Sequence, residues 1–408
     1  MADRAAPPVM TEPEALSELC LSLAGADYVT IDTEFMREKT YWPKLCLVQI
    51  AGPERSAAID PLAEGMTLEP LFGLLKDPTV LKVFHAARQD IEIFVHLMGD
   101  VPAPIFDTQV AAMVCGFGDA VAYESLAAKL AGTRIDKAMR FTDWSRRPLT
   151  EKQILYALGD VIHLRPIYRK LAQRLEKNGR AGWLAEEMAI LTDPATYRLE
   201  PDEAWRRIKI RGQDPKRLAL LRELASWRER EARRLDIPRR RVLRDEALLE
   251  IAASAPRSEA ELERVRGLAH GGLRKSLTGG LLEAVERGLT RPPVTAPKPK
   301  RTDKVGPVIE LLKVLLKAKC ESAGVAQRLV ATAADIERLA AGEDDDIPVL
   351  RGWRFELFGK DALALKSGRL ALAIERGKVA RIERPGGAPS RSSGQEPSDP
   401  NSSGRSQD

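Results

Sequence analysis

The most constraining stretch of this chain is Val29-Thr30-Ile31-Asp32-Thr33-Glu34-Phe35, a short apolar run with two acids set one residue apart inside it. Side chains alternate faces along a strand, so Asp32 and Glu34 point one way while Ile31, Thr33 and Phe35 point the other. Two carboxylates converging at the margin of a core each lose roughly several kcal/mol of hydration, and they repel one another. A cation removes that cost. Magnesium and manganese take oxygen ligands, and phosphate-cleaving sites commonly hold two such ions roughly 3.5–4 Å apart. Such a site needs further carboxylates; without them the same pattern describes an alternating edge strand with a solvated acidic face.

A chain of 408 residues, 44% hydrophobic and 30% charged, is long enough for two or three domains with cores of their own. Its start mixes Asp3, Arg4, Glu12, Glu14 and Glu18 with small residues and lacks a basic segment followed by an apolar one, so no signal peptide is expected. No run approaches about 18 apolar residues, so no membrane span is expected and the cytoplasm is the expected location. Cys20, Cys46, Cys115 and Cys320 are far apart and show no C-x-x-C spacing, which indicates neither a zinc site nor a disulfide framework. Only His85, His96, His163 and His270 are available as imidazole ligands, so oxygen ligands are favoured.

From Tyr28 onward, residues 28–35, Leu45–Ala51 and Ala57–Asp60 predict three successive strands in an antiparallel meander. A helix near Leu68–Leu75, a strand at Val80–Phe84 and a helix over Ala86–Leu97 complete a mixed sheet with helices. Asp90 lies about one turn into the last of these, where the helix dipole alone favours an acid. Asp107, in Ile105-Phe106-Asp107-Thr108-Gln109, reads as the N-cap of a helix running to Cys115, a capping rather than a catalytic position. A further helix is expected over Tyr123–Ala131. Thr150 then caps a long helix, Glu151–Glu176, which Pro166 is expected to kink or split. Tyr156 and Asp160 are four apart and stack on one face of it. A phenol and a carboxylate so placed can act together on a bound water; equally, they fit a core tyrosine above a surface acid.

Residues 205–290 read as helical, with Leu218, Leu221, Leu224 and Trp227, then Leu248 and Ile251, then Leu262, Val265 and Leu268 at helical spacing. Trp205 to Arg291 carries 22 Lys and Arg against 13 Asp and Glu, about +9, which leaves about −4 elsewhere in a chain of net charge +5. A basic block beside an acidic one suits a polyanion-binding module joined to a metal-binding one, and equally a solvated helix surface. Residues 291–307, with five prolines and five Lys or Arg, form an expected linker. Residues 308–384 read as a second small domain, helical first and short-stranded or turned near its end, and the Gly-, Ser- and Pro-rich stretch 385–408 as a disordered tail.

Taken together, Ile31-Asp32-Thr33-Glu34-Phe35, His85-Ala86-Ala87-Arg88-Gln89-Asp90 and Tyr156-Ala157-Leu158-Gly159-Asp160 resemble the three motifs of the DEDD exonuclease superfamily, in the subclass with a tyrosine, and specifically the ribonuclease D family. The sister subclass carries a histidine five before the last aspartate, where this chain has Leu155. Asp143-Trp144-Ser145-Arg146-Arg147-Pro148-Leu149-Thr150 is similar to the segment before the third motif in that family. Leu218–Leu268 is similar to an HRDC domain, and Gly352–Leu357 to the end of a second, divergent one. Gly159 departs from the usual Ala-rich stretch, at about 1 kcal/mol of helix propensity.

The resemblance implies an α/β fold, a ribonuclease H-like mixed sheet with flanking helices over 1–204, followed by two small mainly α-helical HRDC-like domains over 205–290 and 308–384. It implies a 3′ to 5′ exoribonuclease that releases nucleoside 5′-monophosphates with two divalent ions, Mg or Mn. By the same resemblance Asp32 would bridge both ions, Glu34 and Asp160 would complete one site, Asp90 would serve the other through water, and Tyr156 would orient the attacking water. The implied partner is RNA, with 3′-extended tRNA precursors as substrates. A Werner-type DNA exonuclease and a non-catalytic nucleic-acid scaffold are the alternatives.

Overall fold

The computed structural model describes residues 8–136, 138–210, 214–268, 275–294, 305–343 and 346–384. The chain divides into two compact units, Met1–Pro299 and Lys300–Asp408. The first opens with α1 (Pro13–Leu23), β1 (Tyr28–Met36), β2 (Lys44–Ala51), β3 (Ser56–Ile59), α2 (Glu69–Lys76), β4 (Leu81–Phe84) and α3 (Arg88–Met98). Then come β5 (Ile105–Asp107), α4 (Thr108–Val114), α5 (Tyr123–Leu126) with a π-helical extension over Ala127–Ala131, α6 (Glu151–Lys177) and α7 (Ala181–Thr192).

The five strands lie in the order β3-β2-β1-β4-β5. The β1–β2 and β2–β3 pairs are antiparallel, whereas β1–β4 and β4–β5 are parallel, so the expected meander is present within a mixed sheet. The acid-bearing strand is at the centre of that sheet. Val29, Thr30 and Ile31 are fully buried, which removes the solvated edge strand as an explanation of Asp32 and Glu34. Between Glu34 and Phe35 the register slips by one and leaves Cys46 of β2 without an opposite residue. Its carbonyl accepts instead from Arg147 Nη2 at 2.7 Å.

Helix α6 packs across β1, β2 and β3. Its start is fixed by a capping box, in which Thr150 Oγ1 accepts from the Gln153 amide and Gln153 Oε1 accepts from the Thr150 amide. Pro166 does not break it. Proline deprives the Ile162 carbonyl of its helical donor, and Arg165 Nε supplies one at 3.4 Å while Arg165 Nη1 reaches the Gly52 and Pro53 carbonyls. Helix α3 starts two residues later than its apolar periodicity suggests, because Ala86 takes a left-handed conformation with φ 59°.

A 3₁₀ segment of seven residues, Pro201–Arg207, leads into α8 (Pro215–Arg234), α9 (Arg239–Val242), α10 (Asp245–Ser254), α11 (Glu259–Leu262) and α12 (Thr278–Thr290). These helices enclose a separate core built on Leu221, Leu224, Leu248, Ile251, Leu281 and Val285. Much of the arginine surplus is spent inside this segment. Arg222, Arg230 and Arg291 face Asp202, Arg287 and Arg291 face buried Glu223, and Arg228 pairs with Asp245 at 2.6 Å.

The second unit contains α13 (Gly306–Ala323), α14 (Gln327–Val330), α15 (Ala333–Ala340), α16 (Gly352–Arg354), a π-helical turn over Phe355–Gly359, and α17 (Lys360–Lys366). It ends in an antiparallel hairpin, β6 (Leu370–Glu375) and β7 (Lys378–Glu383), the strand alternative of the two the sequence leaves open there. Residues 295–304 of the expected linker and all of the tail 385–408 lie outside the described residues. Among the described residues no helix is long and apolar enough to cross a membrane.

Candidate active site

The two acids of β1 face α6. Thr30 Oγ1 donates to the Val161 carbonyl at 2.8 Å, which ties the strand to the helix one residue beyond Asp160. Carboxylate oxygens of Asp32, Glu34 and Asp160 consequently lie within 4.8 Å of one another. Asp90 is held from the opposite face of β1, where Thr33 Oγ1 donates to its Oδ1. It lines the same cleft, of about 410 Å³, as Asp32, Glu34, Tyr156 and Asp160. All five residues singled out in the sequence therefore meet in one hollow, three of them in a tight cluster and Asp90 beside it.

The electrostatics follow from this crowding. Burial pushes the Asp32 carboxyl well above its usual range, and the charges of Asp160, Asp90 and Glu34 push it further. Glu34 is driven up to about 9, first by burial and then by Asp160 and Asp90. Burial also raises Asp160 to about 7, although a hydrogen bond from Tyr156 and the Arg140 guanidinium pull the other way. Asp90 rises to about 7 by burial, opposed by the Thr33 hydrogen bond. The Tyr156 phenol is raised by burial and by three neighbouring acids, so it is a donor throughout the physiological range. Four carboxylates that resist ionisation together, in a cleft open to solvent, form a donor set suited to hard divalent cations.

Several positioning contacts were not legible as motifs. Asp107 caps α4 as expected, accepting from the Gln109 amide at 2.7 Å, but its two oxygens also accept from the Ala86 and Ala87 amides at 3.0 and 2.8 Å. That pairing holds the left-handed turn that launches α3 and Asp90. Tyr123 donates its hydroxyl to the Asp160 carbonyl. Arg147 pairs with buried Asp60, its Nη2 lying 2.6 Å from Oδ1, and beside it Trp144 is buried with its ring centroid 6.1 Å from that of Tyr156. Arg140 also lines the cleft, three residues before the Asp143–Thr150 segment, and is the nearest sequence signal to that role.

A central strand with two acids, a third acid from the helix crossing it and a fourth from the neighbouring helix together line one cleft as an all-oxygen donor set. The sequence model of the 3′-5′ exonuclease family matches residues 7–176, and that of the HRDC domain matches residues 217–285. Ribonuclease D of Acidiphilium cryptum is 52% identical over 93% of this chain and 98% of its own length. Ribonuclease D of Nitrobacter hamburgensis is 50% identical over 92% and 99%. The crystal structure of Escherichia coli RNase D, described as an exoribonuclease involved in structured RNA processing, superposes with a TM-score of 0.77 at 30% identity, covering 88% of this chain and 98% of that one. The chain belongs to the ribonuclease D family of 3′ to 5′ exoribonucleases.

Proposed function

We propose that this chain trims structured RNAs from their 3′ ends, 3′-extended tRNA precursors among them, and releases nucleoside 5′-monophosphates in the cytoplasm. The observation that carries this reading is the cluster of Asp32, Glu34 and Asp160, with Asp90 and Tyr156 in the same cleft. Asp32, Glu34 and Asp160 are the residues that would hold one divalent ion, and Asp32 with Asp90 a second, Mg and Mn both fitting an all-oxygen set. When bound, such ions acidify the attacking water and neutralise the charge that develops on the phosphate. The chain's own residues supply alignment. Tyr156, kept protonated and hydrogen-bonded to Asp160, orients the attacking water towards phosphorus. Arg140, on the cleft wall, draws the scissile phosphate in and offsets the carboxylate field. Thr33 holds Asp90 against β1 by a hydrogen bond.

The domain division that accompanies this reading is an exonuclease domain over 1–204, an HRDC domain over 205–290 and a second HRDC-like domain over 308–384. The test is a time course on a duplex RNA with a short unpaired 3′ extension, labelled at its 5′ end, with Mg or Mn. Stepwise shortening that halts near the duplex and is absent in Asp32→Ala supports the reading. Shortening that persists in Asp32→Ala, or an RNA left intact by the wild-type chain, overturns it.

A further inference from the structure

A second hollow, of about 530 Å³, lies where the exonuclease domain meets the first HRDC domain, both within the first compact unit. Its wall carries six guanidinium groups, those of Arg37, Arg88, Arg198, Arg207, Arg233 and Arg239. Arg37 is paired with Glu92 at 3.2 Å, and Arg233 and Arg239 share the buried carboxylate of Glu229. Arg88, Arg198 and Arg207 are exposed and make no ion pair among the described residues. Against the six cations stand Glu92 and Glu200 on the wall and Glu229 and Asp236 behind it, a local balance of +2. Elsewhere in the HRDC segment Arg228 is paired with Asp245 and Arg287 with Glu223; here, at its junction with the catalytic domain, positive charge is left over.

The hollow adjoins the catalytic cleft. Along α3, Gln89 and Asp90 face the cleft, while Arg88, Glu92, Val95 and His96 face the hollow. Along the chain leaving β1, Asp32 to Phe35 line the cleft, and Arg37, Tyr41 and Trp42 line the hollow. The two therefore flank the first turns of one helix, whose full diameter is about 10–12 Å. Trp42 stacks on His96 with ring centroids 4.0 Å apart and planes 8° from parallel, which puts a flat aromatic pair in the wall. The junction itself is braced. The Tyr41 and Trp42 amides donate to Asp236 Oδ1 at 3.0 and 3.1 Å, and Arg239 Nη2 donates to the Tyr41 hydroxyl at 2.9 Å.

We infer that this arginine-lined hollow is a second anion site, which takes phosphodiester groups of the RNA strand upstream of the 3′ end held in the cleft. The inference rests on the RNA-trimming reading and adds a place for the strand behind the reacting nucleotide. Planar guanidiniums in a fork geometry fit phosphate oxygens, and a concave wall with aromatic faces suits a single strand. Because the site belongs to the backbone, it grips RNA without regard to sequence.

The test is RNA binding by the full chain in EDTA, where no cleavage occurs, read by fluorescence anisotropy across a salt series. Each lost phosphate contact on a single strand flattens the slope of log affinity against log salt by about 0.7. Arg198→Ala/Arg207→Ala is expected to flatten it by about 1.4, with weakening that grows as the RNA lengthens beyond a dinucleotide. Arg198→Lys/Arg207→Lys, which conserves the charge, is expected to retain most of the slope. Lys216→Ala/Arg264→Ala removes two exposed cations elsewhere on the HRDC segment and is expected to change it little. An unchanged slope in the cavity variant, or an equal loss in the distal one, overturns the inference. A wild-type chain that binds no RNA would instead overturn the reading on which it rests.

Discussion

Asp160→Asn is expected to make the metal-free protein more stable and the enzyme inactive. Asp160 is buried, and its carboxyl stands at about 7 in the folded chain against an ordinary value of 3.8. A carboxyl raised on folding lends stability that is complete below its unfolded value, near pH 4, and is lost as pH rises through about 7. At 1.36 kcal/mol per unit, keeping Asp160 charged above pH 7 costs the folded state up to roughly 4 kcal/mol. The amide has no charge to desolvate and keeps an oxygen that can accept from Tyr156. In EDTA at pH 8 the variant should exceed wild type by about 2–4 kcal/mol, roughly 4–16 °C in melting temperature at about 2–4 °C per kcal/mol. At pH 5 the gap should shrink by more than half. Saturating Mn²⁺ should close or reverse the gap, since a ligand at about 1,000 times its Kd adds about 4.1 kcal/mol to the form that binds it. Differential scanning fluorimetry at the two pH values, with and without metal, measures all of this. A variant no more stable than wild type at pH 8 in EDTA would refute the claim that the cluster is electrostatically strained.

Three further outcomes follow from the site. Tyr156→Phe should lower kcat about 10²-fold or more while leaving Mn²⁺ affinity within about twofold, measured by single-turnover kinetics beside metal titration; a large loss of metal affinity would mean that the phenol shapes the ligand set instead. Asp107→Ala removes the acceptor of four backbone amides and should cost roughly 2–3 kcal/mol in urea unfolding. It should also slow turnover by loosening the start of α3, and full activity in a folded variant would show that this turn holds itself. Gly159→Ala should stabilise α6 by about 0.5–1 kcal/mol with activity retained, because a Cβ there meets only His163 Cδ2, at an ordinary 3.8 Å.

The central chemistry was legible because it obeys short periods. Asp32 and Glu34 share a face at a spacing of two, Tyr156 and Asp160 at a spacing of four, and Thr150 announces α6 three residues before Gln153 completes the cap. Contacts with no period were not. β1 is central only because β4 pairs with it some fifty residues later, and β5 has just three residues, too few to alternate visibly. Thr33, assigned to the face away from the acids, does lie there, and it is from that face that it reaches Asp90. Tyr123 joins the cleft from a helix the sequence does show and Arg140 from an irregular segment, but neither has a spacing to the acids that marks it. Charge counting overstated the HRDC segment, because a composition cannot distinguish an arginine spent on Glu223 or Asp202 from one facing solvent.

The most direct test of the central claim is a count of divalent ions. Mn²⁺ titrated into the full chain with a nucleoside 5′-monophosphate present, followed by electron paramagnetic resonance of the free ion, should give two ions per chain for wild type. Asp32→Asn, which removes the carboxylate proposed to serve both sites, should abolish that tight binding. Wild-type stoichiometry and affinity in Asp32→Asn, or no tight binding in wild type, would contradict the assignment of the carboxylate cluster as the metal centre.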